Sequence, residues 1–137
     1  MLTTPITRLL IGLHAAYLLI GGAWPLVHMP SFEAVTGPKD EHWLVRSVAG
    51  ILIVISITLF AQLGKGRIEY AAITTAMGAS FVLAMVGVIT AIAGVISPIY
   101  LVDGAVHFFF FACWCIVLAG DFGMSRPGLT QEASNGK

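Results

Sequence analysis

The sequence predicts an all-α integral membrane protein, a four-helix bundle whose helices cross the bilayer up, down, up and down. Hydrophobic residues make up 58% of the 137 residues and charged residues only 10%, against about 25% charged residues in soluble domains. The mean hydropathy is +0.92. The chain also contains four apolar runs, each long enough to cross the ~30 Å hydrocarbon core of a bilayer as a helix. A soluble fold of this length could not cover so much apolar surface, so lipid must cover it.

The four runs define a single membrane domain over residues 1–122. The predicted spans are residues 6–25, 43–63, 70–96 and 99–120, to within a few residues. The small residues Gly21–Ala23, near the end of the first run, resemble a signal-peptide cleavage site, but we expect this run to be retained as a helix. Tight turns at Gly64–Arg67 and Ser97–Pro98 predict that spans two, three and four are consecutive antiparallel neighbours.

The only long connection is the predicted outer loop, residues 26–42. Within it, Ser31 is predicted to cap a short helix that runs through Val35 and ends at Gly37–Pro38. Its apolar residues indicate that this segment lies on the membrane surface. After the fourth span, the polar tail of residues 123–137 is rich in Gly, Ser, Asn and Gln, and we expect it to be flexible.

The basic residues predict the orientation of the chain, since an even number of spans places both termini on one side. That side would carry Arg8, Lys65, Arg67, Arg126 and Lys137, and the opposite side Lys39 and Arg46. Because basic loops favour the cytoplasm, we expect both termini to be cytoplasmic. The net charge of zero argues against a basic face that binds nucleic acid.

Ionisable residues within the spans are few, and their cost in lipid makes them candidate functional residues. Span one carries His14 and Tyr17, and span two carries Arg46. Span four carries Asp103 and His107 one helical turn apart. Arg46 and Asp103 each lie about one turn from the outer end of their spans, so the sequence predicts an ion pair between them. In the alternative interpretation, each side chain reaches headgroups or outer water alone.

A ligand site is predicted between spans one and four, where the polar and aromatic residues of these two helices would meet. Its predicted residues are His14, Tyr17, Tyr100, Asp103, His107 and Phe111. Two histidines on different helices could ligate a haem, and a quinone or another apolar ligand is the other candidate. In a purely structural alternative, the histidines only form hydrogen bonds with tyrosines or backbone carbonyls. The polar residues of the outer loop lack a metal-binding spacing, so no metal site is predicted.

The segment Phe32–Asp40, followed by Trp43–Arg46, resembles a stretch in small four-helix bacterial membrane proteins. The overall plan is also similar to DoxX-like proteins: a first span with an early arginine and glycines, a loop with Pro and Phe, and three further spans. This resemblance implies a bacterial inner-membrane four-helix bundle. Some DoxX-like proteins are linked to quinone-coupled sulfur oxidation, but no motif carries a catalytic residue from that family to this chain.

Three functions are compatible with these features. The sequence has no nucleophile elbow, phosphate loop or metalloprotease helix. The first hypothesis is therefore a non-enzymatic accessory, assembly or interaction subunit in the lipid bilayer, associated with itself or with a larger membrane complex. The second is a redox or ligand-binding subunit that holds a quinone or haem. The third is an oligomeric channel or transporter that uses Arg46, Asp103 and His107. The missing catalytic pattern and the small-residue helix faces favour the first.

Overall fold

A computed structural model describes residues 4–66 and 68–124, the last four of them as backbone only. Over these residues the fold is all-α, with no strand. Its helices are α1 (Pro5–Val27), α2 (Met29–Thr36), α3 (His42–Leu63), α4 (Tyr70–Ile92) and α5 (Ile99–Met124). The long helices α1, α3, α4 and α5 are each long and apolar enough to cross a membrane. This is the helix content of a multi-pass membrane protein, as the sequence predicts.

Helix α4 ends at Ile92, four residues before the predicted end of the third span at 96. The cause is Gly94, whose φ of +72° is a conformation that favours glycine. With Gly94 in this conformation, its own N–H bonds to the carbonyl of Ala91 and the Val95 N–H bonds to that of Thr90. This pair of bonds is the Schellman arrangement that closes a helix C-terminus. Hydropathy alone does not detect it, because the residues that follow are also apolar.

The short helix predicted between spans one and two is confirmed, but its predicted N-cap is wrong. Helix α2 begins at Met29, and its cap is His28, whose Nδ1 accepts the Ser31 N–H at 3.1 Å. Ser31 therefore lies inside the first turn and is not the cap. The helix ends where predicted, at Gly37, which has a φ of +84°. The predicted flexible tail, residues 123–137, lies outside the described residues except for its first two, which continue α5.

Two helix pairs make the closest contacts, α1 with α3 and α4 with α5. In the first pair, the buried Ser56 hydroxyl of α3 donates to the Ala15 carbonyl of α1 at 2.8 Å. In the second pair, Gly104 of α5 lies directly against Val88 of α4. Small residues allow this proximity, and close packing is the main attraction between helices where lipid removes any hydrophobic difference.

Large apolar side chains cover the outer surface of all four long helices. Leu9 on α1 is 62% exposed, Val54 on α3 64%, Val86 on α4 56% and Ile116 on α5 72%. In water such a surface would be an aggregation hazard, but in a bilayer it is the surface that contacts acyl chains. The apolar core that remains inside is built around Trp114, the largest fully buried side chain.

Arg8, near the start of α1, binds the C-terminal end of α3. Its Nη1 donates to the Leu63 carbonyl at 2.8 Å and its Nη2 donates to the Lys65 carbonyl at 2.9 Å. The Leu63 carbonyl is one of those that a helix C-terminus leaves without an internal partner, and Lys65 belongs to the turn that follows α3. One guanidinium therefore caps α3 and fixes the turn that follows it.

We expect Arg8→Met to loosen this turn. Loss of the two bonds should lower the local opening free energy by about 1 kcal/mol, which corresponds to roughly fivefold faster trypsin cleavage after Lys65 when cleavage follows local opening. Arg8→Lys is the matched control, since it keeps the charge but cannot span both carbonyls, and its rate should be intermediate. Equal cleavage rates in all three proteins would contradict the capping role.

Candidate ligand-binding site

A cavity of about 600 Å³ lies between the helices at the end where α1 finishes and α3 and α5 begin. Helix α2 contributes to its wall at the same end. Its lining includes Tyr17, Leu18, Trp24, Phe32, Val45, Val48, Ala49, Leu52, Leu83, Tyr100, Val102, Asp103, Val106 and His107. The volume falls within the range of about 300–1,000 Å³ typical of small-molecule sites. The lining is also typical, since it is mostly apolar and aromatic with a few polar groups.

The polar groups meet at one corner, formed by Tyr17 of α1 and by Asp103 and His107 of α5. The Tyr17 hydroxyl donates a hydrogen bond to Oδ1 of Asp103. The Tyr17 ring also meets the His107 ring edge to face, with 5.3 Å between centroids. Asp103 and His107 share a helix face because they are four residues apart. The structure thus brings together three of the residues predicted for a ligand site, Tyr17 from α1 with Asp103 and His107 from α5.

Asp103 and His107 are close but not hydrogen-bonded. His107 Nε2 lies 3.9 Å from Asp103 Oδ2, beyond hydrogen-bond distance. The two side chains also differ in access: the Asp103 side chain is 42% exposed, the His107 side chain only 4%. Within the described part of the chain, His107 Nδ1 is buried without a hydrogen-bond partner. Such a group is costly and is often found where a ligand or water completes the bonding.

A cluster of polar residues holds the segment that covers the end of the cavity near α2. Glu33 of α2 accepts the Lys39 backbone N–H at 2.9 Å and a hydrogen bond from His42 Nε2 at 2.8 Å. The bond from His42 holds the pKa of Glu33 below its usual value. Lys39 donates from Nζ to the Thr36 carbonyl at 2.8 Å, and its Nζ lies 5.1 Å from the centre of the Tyr100 ring. Burial lowers the pKa of Lys39.

His14 lies in the core and does not line the cavity. Trp114 Nε1 donates to His14 Nδ1 at 3.0 Å, and His14 Nε2 lies 3.0 Å from the Ser80 hydroxyl. Because Nδ1 accepts, Nε2 carries the proton and donates to Ser80. The Phe110 ring stacks on His14 at 4.3 Å, and none of the His14 surface is exposed. Both ring nitrogens are therefore engaged, so a haem could take His14 as a ligand only after both bonds had broken.

Two further predicted features are not present among the described residues: Phe111 in the cavity wall and an ion pair between Arg46 and Asp103. Phe111 packs on Phe81 of α4, with 5.3 Å between the ring centroids. Its neighbour Phe110 lies on the buried side of α5 and stacks on His14 instead. Arg46 is exposed, and no ion pair joins it to Asp103 within 4.0 Å in the described part of the chain. The physical reason is that Tyr17 already holds Asp103, while the long arginine side chain can reach the membrane surface.

The sequence reasoning missed the contributions of α2 and α3 to the cavity. Phe32, Val48, Ala49 and Leu52 line it, but their residue types do not differ from those on the lipid face. Ser80, the partner of His14, was also not among the predicted site residues. The available signal was that Ser80 is a polar residue at the centre of an otherwise apolar span.

Comparison with known proteins finds no matching family model, no matching curated protein and no matching solved structure. The similarity to DoxX-like proteins therefore stays a prediction.

Proposed function

We propose that this chain is a multi-pass protein of the cell membrane that binds a small, largely apolar molecule carrying a polar group. The observation that carries this proposal is the cavity of about 600 Å³ with the Tyr17–Asp103–His107 corner in its wall. A binding role needs no catalytic residue, so it agrees with the lack of a catalytic motif. It corresponds to the second sequence hypothesis, without the haem that His14 would have to ligate.

The proposed architecture is an up-down-up-down bundle with both termini in the cytoplasm. In support, Arg8 places the start of α1 beside the end of α3, and Tyr17 in the second half of α1 meets Asp103 near the start of α5. These two contacts support an antiparallel arrangement of α1 with α3 and of α1 with α5. The excess of basic residues on the side of the termini gives the orientation, and the bacterial inner membrane follows from the resemblance noted above.

In this arrangement the cavity lies in the outer half of the membrane. The apolar walls of α1, α3 and α5 hold the body of the ligand by excluding lipid and water. The Tyr17–Asp103–His107 corner binds its polar group, since a buried site of this kind obtains its specificity from a few placed hydrogen-bonding residues. Helix α2 covers the outer end, and its fastening by Glu33 and Lys39 keeps that end in place.

Photolabelling in lipid nanodiscs tests the proposal. The probe is a small neutral aliphatic alcohol that carries a diazirine, and labelled residues are mapped by peptide mass spectrometry. We expect saturable labelling on the cavity wall at Val45, Val48 and Val106, competed by excess unlabelled alcohol. Lipid-facing Val54, which is 64% exposed, should label without saturation.

Val48→Trp should fill the cavity and lower the saturable labelling at least tenfold, a loss of about 1.4 kcal/mol in binding. Val54→Trp adds the same bulk to the lipid face of the same helix and should leave the labelling unchanged. Labelling that followed lipid exposure alone, with no difference between the two variants, would overturn the proposed function.

A further inference from the structure

We propose that the molecule bound in the cavity is a lipophilic organic cation, whose positive charge pairs with Asp103. This inference rests on the proposed function and names the class of ligand. It is carried by the Asp103 carboxylate, beside which the described residues place no lysine or arginine, and by a wall rich in aromatic rings.

Asp103 has no basic partner in the part of the chain that the structure describes, apart from the weakly placed His107. Its close contact is the neutral hydroxyl of Tyr17, and His107, at 3.9 Å, carries a charge only when protonated. Carboxylates inside a membrane are costly and nearly always pair with a cation or face a pathway or site. Arg46 is exposed and does not pair with Asp103. Apart from a protonated His107, the described helices therefore place no positive charge beside Asp103 to balance it.

The position of Asp103 makes it available to a ligand. It lines the cavity, and 42% of its side-chain surface is exposed. The Tyr17 hydroxyl binds Oδ1 and thereby fixes the carboxylate. No residue that the structure describes forms a hydrogen bond with Oδ2. A carboxylate positioned in this way attracts a positive charge more strongly than it would in water, because apolar walls screen the charge little.

The rest of the wall is suited to the same chemistry. Tyr17, Trp24 and Phe32 all line the cavity, and aromatic faces attract cations that have left water. Tyr100 in the same wall already holds a cation in this way, since the Lys39 ammonium lies 5.1 Å from its ring centre. The apolar residues Val48, Leu52 and Val106 complete the lining and favour a cation with apolar substituents over a small hydrated ion.

Equilibrium binding of radiolabelled tetraphenylphosphonium to the purified full-length chain in mild detergent tests the inference. We expect saturable binding that Asp103→Asn weakens at least tenfold. Asp103→Glu keeps the charge and should bind within a few fold of the wild type. Glu69→Gln removes an exposed carboxylate outside the cavity and should bind as the wild type does.

A second measurement separates this inference from the proposed function and needs no variant. Unlabelled tetraphenylphosphonium should displace the neutral diazirine alcohol from Val48 in the wild-type protein. Saturable alcohol labelling that the cation does not displace, or cation binding that Asp103→Asn leaves unchanged, would overturn the cation proposal and leave the proposed function standing. If neither probe bound saturably, both proposals would fail.

Discussion

Replacing Trp114 with alanine should destabilise the folded protein by about 3–5 kcal/mol, the usual cost of truncating a fully buried aromatic side chain. Trp114 is the largest side chain with no exposed surface. Its removal would open a hole among α1, α4 and α5. It would also leave Nδ1 of His14 without its donor, because the Trp114 indole N–H fills that role at 3.0 Å.

Unfolding in mixed SDS micelles, followed by far-UV circular dichroism, measures this effect. Trp114→Phe keeps most of the volume and loses only the hydrogen bond, which averages about 0.6 kcal/mol between membrane helices. Phe109→Ala is the control for truncation of an aromatic residue on the same helix, since Phe109 is 62% exposed to lipid. A Trp114→Ala midpoint close to that of Phe109→Ala would show that the buried tryptophan does not hold the helices together.

The spans, the end of α4 and the cap of α2 show how much of the fold the sequence could predict. The spans were predictable because lipid fixes both their length and their composition. The end of α4 was not, since it depends on the backbone conformation of Gly94. The cap of α2 was missed for a similar reason: His28 is an uncommon capping residue, and only the local geometry shows that its ring accepts the Ser31 N–H.

The candidate site was predictable in its polar corner and not in its walls. Tyr17, Asp103 and His107 stood out because ionisable groups are rare in a span. His14 stood out for the same reason, but whether it faces the cavity or the core depends on the rotation of α1 against α4 and α5. Small-residue packing sets that rotation, and residue spacing within a single helix does not specify it. Hydropathy likewise cannot distinguish Val48 in the cavity wall from Val54 in lipid.

Gly22→Ala should separate α1 from α3 and destabilise the protein by about 1–3 kcal/mol, the usual cost of overpacking. A Cβ at position 22 would lie 2.7 Å from the Ala49 carbonyl oxygen and 3.2 Å from the Leu52 Cβ. The first obstacle is backbone, so no side-chain rotation relieves it. Gly78→Ala is the matched control, since nothing lies within 4 Å of a Cβ there, and its SDS unfolding midpoint should not fall.

The effect should also reach the cavity, because Ala49 and Leu52 belong to its wall. We therefore expect Gly22→Ala to weaken saturable labelling by the neutral alcohol under conditions where the protein is still folded.

Gly104 offers a comparison on the other helix pair. A Cβ there would lie 2.6 Å from Val88 Cγ2, which is a side-chain atom. Val88→Ala should therefore restore the stability that Gly104→Ala loses. No side-chain substitution can compensate for Gly22→Ala in this way, because the new Cβ would clash with the Ala49 carbonyl oxygen in the main chain of α3. A Gly22→Ala protein as stable as Gly78→Ala would contradict the close contact of α1 and α3 on which one side of the cavity depends.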